Sequence, residues 1–267
     1  MTIPIFSFAA GNAPVLVTIP HAGTALAPGM VSRMTELGVT LPDTDWYMEK
    51  LYSSCVDLDI GMIRANYSRY VVDLNRGADD ATLYPGRPKT GLVPDLTFDG
   101  TAIYNEGHAP DEEEIAERRR LYWQPYHDAV QEELDRLKKR WGWASLWDGH
   151  SIKTEVPRLF EGKLPDLNFG TNDGVSCAGT LIKSVMDVPE LGNSYSTILN
   201  GRFKGGYTTR HYGQPQNGIH AIQLEKAQCV YLASEDAPWT IDEAKTKKIR
   251  ETIGALLRQA VLWRPEG

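Results

Sequence analysis

The chain has 267 residues, 42% hydrophobic and 24% charged, enough apolar content for a substantial core and unlike the profile of a disordered chain. Its 28 Lys and Arg against 35 Asp and Glu give a formal charge of -7, which argues against a polyanion-binding surface, so nucleic acid is not an expected partner. Cys55, Cys177 and Cys229 are odd in number and widely spaced, which excludes a thiolate metal site or a secreted disulfide framework and suits a reducing compartment.

From the start of the chain, Met1 to Ala10 carries no basic flank and only a short apolar run, so neither a signal peptide nor a membrane span is expected, and the cytoplasm is the expected location. The run from Pro14 to Pro20 is β-branched and apolar, the pattern of a buried strand, with His21-Ala22-Gly23 at its carboxyl end, where α/β proteins place chemistry. Asp43 or Thr44 is expected to cap a helix carrying Trp46, Leu51, Tyr52 and Val56, and Met62 to Leu74 reads as a strand pair. The stretch from Tyr84 to Gly107 is rich in Gly, Pro and Asp, an expected active-site loop or lid. Asp111 to Glu114 opens a long helical pattern through Ile115, Tyr126, Val130, Leu134 and Leu137 to a basic end at Lys138-Lys139-Arg140, with Pro125 bending or dividing it. Ala144 to Asp148 reads as a strand leading to Gly149-His150-Ser151, and Ile219 to Leu224 as another leading to Glu225. A last helix starts at Thr240, with Glu243 completing a capping box. The order of these elements predicts one α/β domain over residues 1–267, with no repeat or low-complexity tract.

His21 and His150 each follow an apolar run among small residues, an arrangement that suits imidazole ligation of a divalent metal; a hydrogen-bonding role is the plainer alternative for either one alone. The carboxylate completing such a site has two candidates, Asp45 and Glu49, a helical turn apart. Around Val71-Val72, Arg69 and Arg76 flank Asp73 and Asn75; an arginine there suits one carboxylate of a dianionic ligand, the alternative being an internal pair with Asp73. Gly205 to Gly213, with Tyr207, Arg210 and His211, suits a polar ligand, while neither GxGxxG nor GxxxxGK[ST] occurs, which removes the usual warrant for a nucleotide. Glu225, at the end of an apolar run, suits a general base, or else a salt bridge to Lys226 or an arginine.

Taken together, Ile19-Pro20-His21-Ala22-Gly23, Tyr67 to Arg76, Asp148-Gly149-His150-Ser151, Gly205 to Gly213 and Gln223-Leu224-Glu225 resemble the N-formylglutamate amidohydrolase family across nearly the whole chain. Asp-Leu-Asn-Arg and Gly-Tyr-Thr-Thr-Arg-His-Tyr-Gly are the most specific stretches. The resemblance implies a zinc-peptidase-like, phosphorylase/hydrolase-like α/β fold related to metallocarboxypeptidases, with a mixed central sheet flanked by helices and a metal at its carboxyl edge. It implies His21 and His150 as zinc ligands, Asn75 and Arg76 as a carboxylate-binding pair, and Glu225 as the catalytic glutamate. Metallocarboxypeptidases take a carboxylate ligand three residues after the first histidine, where this chain has Thr24. The Asp-Trp-Tyr-Met-Glu-Lys-Leu stretch resembles the amidohydrolase pattern and makes Asp45 the implied ligand, with Glu49 as the fallback.

The implied reaction is hydrolysis of N-formyl-L-glutamate to formate and L-glutamate, the last step of histidine degradation, with zinc, or else cobalt or iron, as cofactor. Glu225 would act as base and acid, Arg69 or Tyr207 would stand by the oxyanion, and Arg76 and Arg210 would grip the two carboxylates. Another N-acyl amino acid deacylase or a metallocarboxypeptidase is the alternative within hydrolases. Outside them the alternative is a binding protein for acidic amino acids with a structural metal.

Overall fold

The computed structural model describes residues 3–81, 90–192 and 194–265. The apolar runs form seven strands: β1 (Phe6–Ala9), β2 (Val15–Ile19), β3 (Gly61–Ala65), β4 (Ala144–Ile152), β5 (Leu167–Gly170), β6 (Thr197–Leu199) and β7 (Ile219–Ala227). They build one sheet in the order β1-β3-β2-β4-β7-β5-β6. The four central strands β3, β2, β4 and β7 are parallel, whereas β1 runs antiparallel to β3 and β5 antiparallel to β7, so the sheet is mixed as expected. Every residue of β2, β4 and β7 is buried, which is why these strands show apolar stretches in place of a regular inside–outside alternation.

The helices are α1 (Glu36–Val39), α2 (Met48–Leu51), α3 (Glu112–Arg118), α4 (Gln124–Trp141), α5 (Gly179–Met186), α6 (Tyr207–Tyr212) and α7 (Glu243–Leu262). Because successive strand residues face opposite sides, the sheet feeds two cores. On one side Val15, Val17, Trp147, Ile222 and Leu224 pack with Ile249, Ile253, Leu256 and Leu257 of α7 and with α5. On the other side Leu16, Leu146 and Ala221 pack with Tyr126, Val130, Leu134 and Leu137 of α4. Further along β2, β4 and β7, this second face turns polar: Thr18 pairs in register with Asp148, and Asp148 with Gln223, followed by the pair His150 and Glu225. The sheet thus carries one apolar half that α4 covers and one polar half at the carboxyl ends.

Several expected elements differ. Tyr47 adopts a left-handed conformation (φ 57°), which breaks the helix expected after Asp43, so α2 starts only at Met48 and Asp45 precedes it. The expected pairing of Asp45 and Glu49 on one helix face is therefore corrected. Met62 to Leu74 yields a single strand, β3, because the chain beyond Ala65 turns to bring Arg69 and Asp73 inward. A π turn over Arg119–Trp123 separates α3 from α4, just before Pro125, which has no N–H for the Leu121 carbonyl. The cap of α7 is Asp242, accepting from Lys245 N at 3.0 Å, in place of Thr240. In the stretch 84–107, residues 84–89 lie outside the described residues; beyond them Leu92, Ile103 and Tyr104 are buried, so this part packs as a loop. Among the described residues no helix is long and apolar enough to cross a membrane.

Glu114 of α3 ties this loop-rich side together, pairing with Arg33 at 2.5 Å and Arg118 at 2.5 Å. Hydrogen bonding from Arg33, opposed by burial and reinforced by Arg118, lowers its pKa from 4.5 to about 2. A depressed carboxylate stabilises the fold fully above its unfolded pKa and loses that contribution as pH falls through the folded one. Glu114→Gln is therefore expected to be less stable than the parent at pH 7, with the gap closing between 4.5 and about 2. Urea denaturation midpoints across that range check this; a gap independent of pH would show that the charge is not what stabilises.

Candidate metal centre

His21 sits just past β2, and the close passage of the chain there requires glycine next door: a Cβ on Gly23 would lie 2.2 Å from the Tyr67 carbonyl oxygen. Asp45 is pinned to the same place by its backbone N–H, which donates to the His21 carbonyl at 3.0 Å. His150 lies on β4 itself, two residues from its end. Their side chains converge: one ligand atom from each of His21, Asp45 and His150 lies within 4.8 Å of the others, and all three residues are buried. Both histidines turn Nδ1 toward Asp45 Oδ2, at 3.9 Å from His21 and 3.3 Å from His150. His21 Nδ1 and both Asp45 carboxylate oxygens are buried with no hydrogen-bond partner among the described residues. Buried polar atoms seldom go unpartnered, and an anionic carboxylate between two imidazoles is a donor set that suits a divalent cation.

The outward nitrogens are held by carboxylates, the usual support of a metal-ligating histidine. His21 Nε2 meets Asp73 Oδ1 at 2.8 Å, and His150 Nε2 meets Asp148 Oδ2 at 2.9 Å. Asp73 also accepts from Asn75 N at 2.9 Å and from Arg69 Nη2 at 2.5 Å, so the internal pairing considered for an arginine is realised by Arg69. Burial, together with Arg69, lowers the His21 pKa. Burial also opposes charge on His150, but Asp148 and Asp45 outweigh it and hold that ring well above the usual histidine range.

The strap Asp73-Leu74-Asn75-Arg76 is fixed from below. His127 Nε2 lies 2.9 Å from the Leu74 carbonyl and Trp123 Nε1 donates to the Arg76 carbonyl at 2.8 Å, so the helix bearing the π turn grips the strap on both sides of Asn75. Asn75 spends its own amide inside the protein: Nδ2 is 3.0 Å from His150 Nε2 and Oδ1 accepts from Thr208 N at 2.9 Å. Its side chain packs where a Cβ on Gly206 would stand, 2.3 Å from Nδ2.

A cleft opens onto this cluster. Of the residues predicted for the site, His21, Asp45, Arg69, Asn75, Arg76, His150 and Glu225 line it. Glu225 is buried at the end of β7, its Oε2 accepting from Gln223 Nε2 at 3.2 Å. Burial and the nearby Asp45 push its pKa up to about 7, against the pull of His150, Lys226 and Arg69. The adjacent Lys226 turns to the opposite face and donates to Tyr52 Oη at 3.2 Å. Arg76 reaches Thr90 Oγ1 at 2.6 Å.

Three predicted residues lie elsewhere. Glu49 is on the surface, 3.7 Å from Arg64 and half exposed, so the fallback ligand is excluded by position. Tyr207 stacks on His211 at 4.8 Å, and Arg210 directs Nε to the Gly205 carbonyl at 2.9 Å; neither lines the cleft. Tyr207 and Arg210 belong to α6, whose helical turn carries them away while its first N–H groups meet Asn75. The sequence reading assigns no site role to Asp148 and Gln223, though both fall within the resembling stretches, nor to Phe98, Arg202 and Phe203, all of which support or line the site. Asp148 was findable, since a polar residue inside an apolar strand two positions before a histidine asks for a partner. Arg202 and Phe203 carried no pattern.

Residues 13–232 match the N-formylglutamate amidohydrolase family. The N-formylglutamate deformylase of Pseudomonas aeruginosa is 46% identical over 259 residues, 97% of this chain and 97% of its own length. That of Pseudomonas putida is 43% identical over 262 residues, covering 98% of this chain and 97% of the relative. The crystal structure of N-formylglutamate amidohydrolase from Ralstonia eutropha JMP134 superposes with a TM-score of 0.81 at 22% identity, covering 96% of this chain and 97% of that one, and so shares the fold.

Proposed function

The chain belongs to the N-formylglutamate amidohydrolase family and is an enzyme acting on an amide, and from that premise we propose that it hydrolyses N-formyl-L-glutamate to formate and L-glutamate with the help of a bound zinc ion. The observation that carries the reading is the convergence of His21, Asp45 and His150 at the floor of a cleft that also presents Glu225 and arginines. Zinc held by those three side chains would supply Lewis acidity for the formyl carbonyl and for water. We read the whole chain as one catalytic domain, since β1 through β7 form a single sheet. The reading extends to a cytoplasmic enzyme completing histidine degradation, a setting that suits its unpaired cysteines.

The protein's own groups then have distinct tasks. Glu225 takes a proton from water as the water oxygen bonds to the formyl carbon, and delivers it to the departing nitrogen as the C–N bond breaks. Gln223 holds that carboxylate in place through its 3.2 Å hydrogen bond. Arg69, tethered to Asp73 and lying 4.5 Å from the centre of the Phe98 ring, adds fixed positive charge where the carbonyl oxygen becomes anionic. Arg76, on the strap gripped by Trp123, binds a substrate carboxylate. Asn75 acts indirectly, packing beside His150 and accepting from Thr208 N at the start of α6 at 2.9 Å.

Formate release from N-formyl-L-glutamate, measured before and after chelation and after zinc is restored, with N-acetyl-L-glutamate alongside, tests the reading. Chelation-sensitive, formyl-selective release is expected; equal turnover of the acetyl compound would instead favour a broader N-acyl amino acid deacylase. Asp73→Asn should weaken metal binding by about 10–100-fold, because the amide orients the His21 ring less firmly than the carboxylate. Competition with a chromophoric chelator reads this directly, and an unchanged affinity would remove Asp73 from the supporting set.

A further inference from the structure

One wall of the cleft is apolar: Ile152 at the end of β4, Phe98, Leu159 and Phe203 line it, packed with Val156, Phe160 and Leu164. Arg202 lines the cleft beside Leu159 and Phe203. Its Nε donates to the Leu159 carbonyl at 2.8 Å, and its guanidinium carbon lies 5.1 Å from the Phe203 ring centre and 5.9 Å from that of Phe160. A backbone tether and flanking aromatic rings fix the plane of the guanidinium, so less side-chain entropy is lost when it meets a ligand.

Charge around the cleft sets what this cation is for. Asp45, Asp73 and Glu225 also line it, and an anionic ligand must be held against their repulsion. Among the described residues, three arginines line the same space: Arg69, Arg76 and Arg202. Arg69 is committed to Asp73 at 2.5 Å. Arg76 and Arg202 come from segments far apart in sequence and stand on different supports, Thr90 for one and Leu159 with its aromatic neighbours for the other. A substrate with one carboxylate needs one such anchor; a substrate with two, at opposite ends of a short chain, needs both.

We propose that Arg202 is the specificity-determining residue that binds the side-chain carboxylate of the substrate, leaving the α-carboxylate to Arg76. The apolar surface of Leu159 and Phe203 beside it covers the methylenes between the two charges. This assignment rests on the proposed N-formylglutamate activity, and it takes over the role that sequence alone gave to Arg210.

The test compares kcat/KM for N-formyl-L-glutamate and for N-formyl-L-glutamine, whose side chain has nearly the same shape without the charge, in the parent, Arg202→Met and Arg202→Lys. The parent should prefer the glutamate compound. Arg202→Met should lower kcat/KM on it about 100-fold more than on the glutamine compound, mainly through KM, the scale of a lost charge-assisted bidentate contact. Arg202→Lys, which keeps the cation, should recover part of the preference, a rescue that general damage to the fold would not give. A parent inactive on both compounds would overturn the substrate reading itself. An active parent whose preference survives in Arg202→Met, or a variant losing both activities equally without rescue by lysine, would overturn the role of Arg202 alone.

Discussion

Glu225→Gln is expected to lower kcat by about 10²–10⁴-fold while leaving metal content and KM close to the parent's, the range over which a positioned proton-transfer group contributes. The amide matches the carboxylate in size and can still accept from Gln223 Nε2, now at 3.2 Å from Glu225 Oε2, so the packing at the end of β7 survives. What disappears is the ability to take a proton from water and return it to the leaving nitrogen. Burial disfavours a charge at this position, which is why the pKa stands at about 7, and removing the charge should not weaken the fold. The variant should therefore denature at the same urea concentration as the parent or a higher one. Steady-state kinetics, elemental analysis and a urea titration on one preparation separate these effects; a kcat within about threefold of the parent would show that Glu225 is not the proton carrier.

How far the sequence discloses such a residue depends on where it sits. β2, β4 and β7 are buried on both faces, so each begins as a largely apolar run, and His21, His150 and Glu225 stand out at or near the ends of those runs. The sheet's outer strands are short and their residues partly exposed: β6 is three exposed residues, and nothing in Thr197–Leu199 distinguishes it from a loop. The choice of Asp45 over Glu49 comes only through likeness to a family, because the position of Asp45 depends on the left-handed turn at Tyr47 and on a backbone hydrogen bond to His21, neither of which leaves a periodic trace. The segment from Gly205 to Gly213 misled for an instructive reason. Its glycines suggested a loop moulded to a ligand, but Gly205 is needed for its positive φ of 113° and Gly206 for the close approach of Asn75. Their requirement is internal packing, although Gly206 also lines the cleft, and the arginine of this segment that lines it, Arg202, stands three residues before Gly205.

Asp45→Ala is expected to abolish stable metal binding and to lower turnover on the order of 10³-fold or more, the equivalent of the several kcal/mol that a bound metal contributes to charge stabilisation in such reactions. Burial opposes the charge on Asp45, but His150 at 3.3 Å, His21 at 3.9 Å and Arg69 outweigh it and lower its pKa, so the carboxylate stabilises the fold even when no cation is bound. Truncating it leaves His21 on Asp73 at 2.8 Å and His150 on Asp148 at 2.9 Å but removes the ion pair with His150. In chelator, then, the variant should melt somewhat below the parent. With zinc present the gap should widen, because only the parent gains the free energy of ligand binding. Melting temperatures of both proteins with chelator and with zinc, read beside metal content, expose that widening. Glu49→Gln is the matching control, since Glu49 lies on the surface against Arg64 and its loss should alter neither metal content nor the zinc-dependent rise in melting temperature. If Asp45→Ala retained the parent's metal content and its zinc-dependent rise in melting temperature, the carboxylate would have no part in the site.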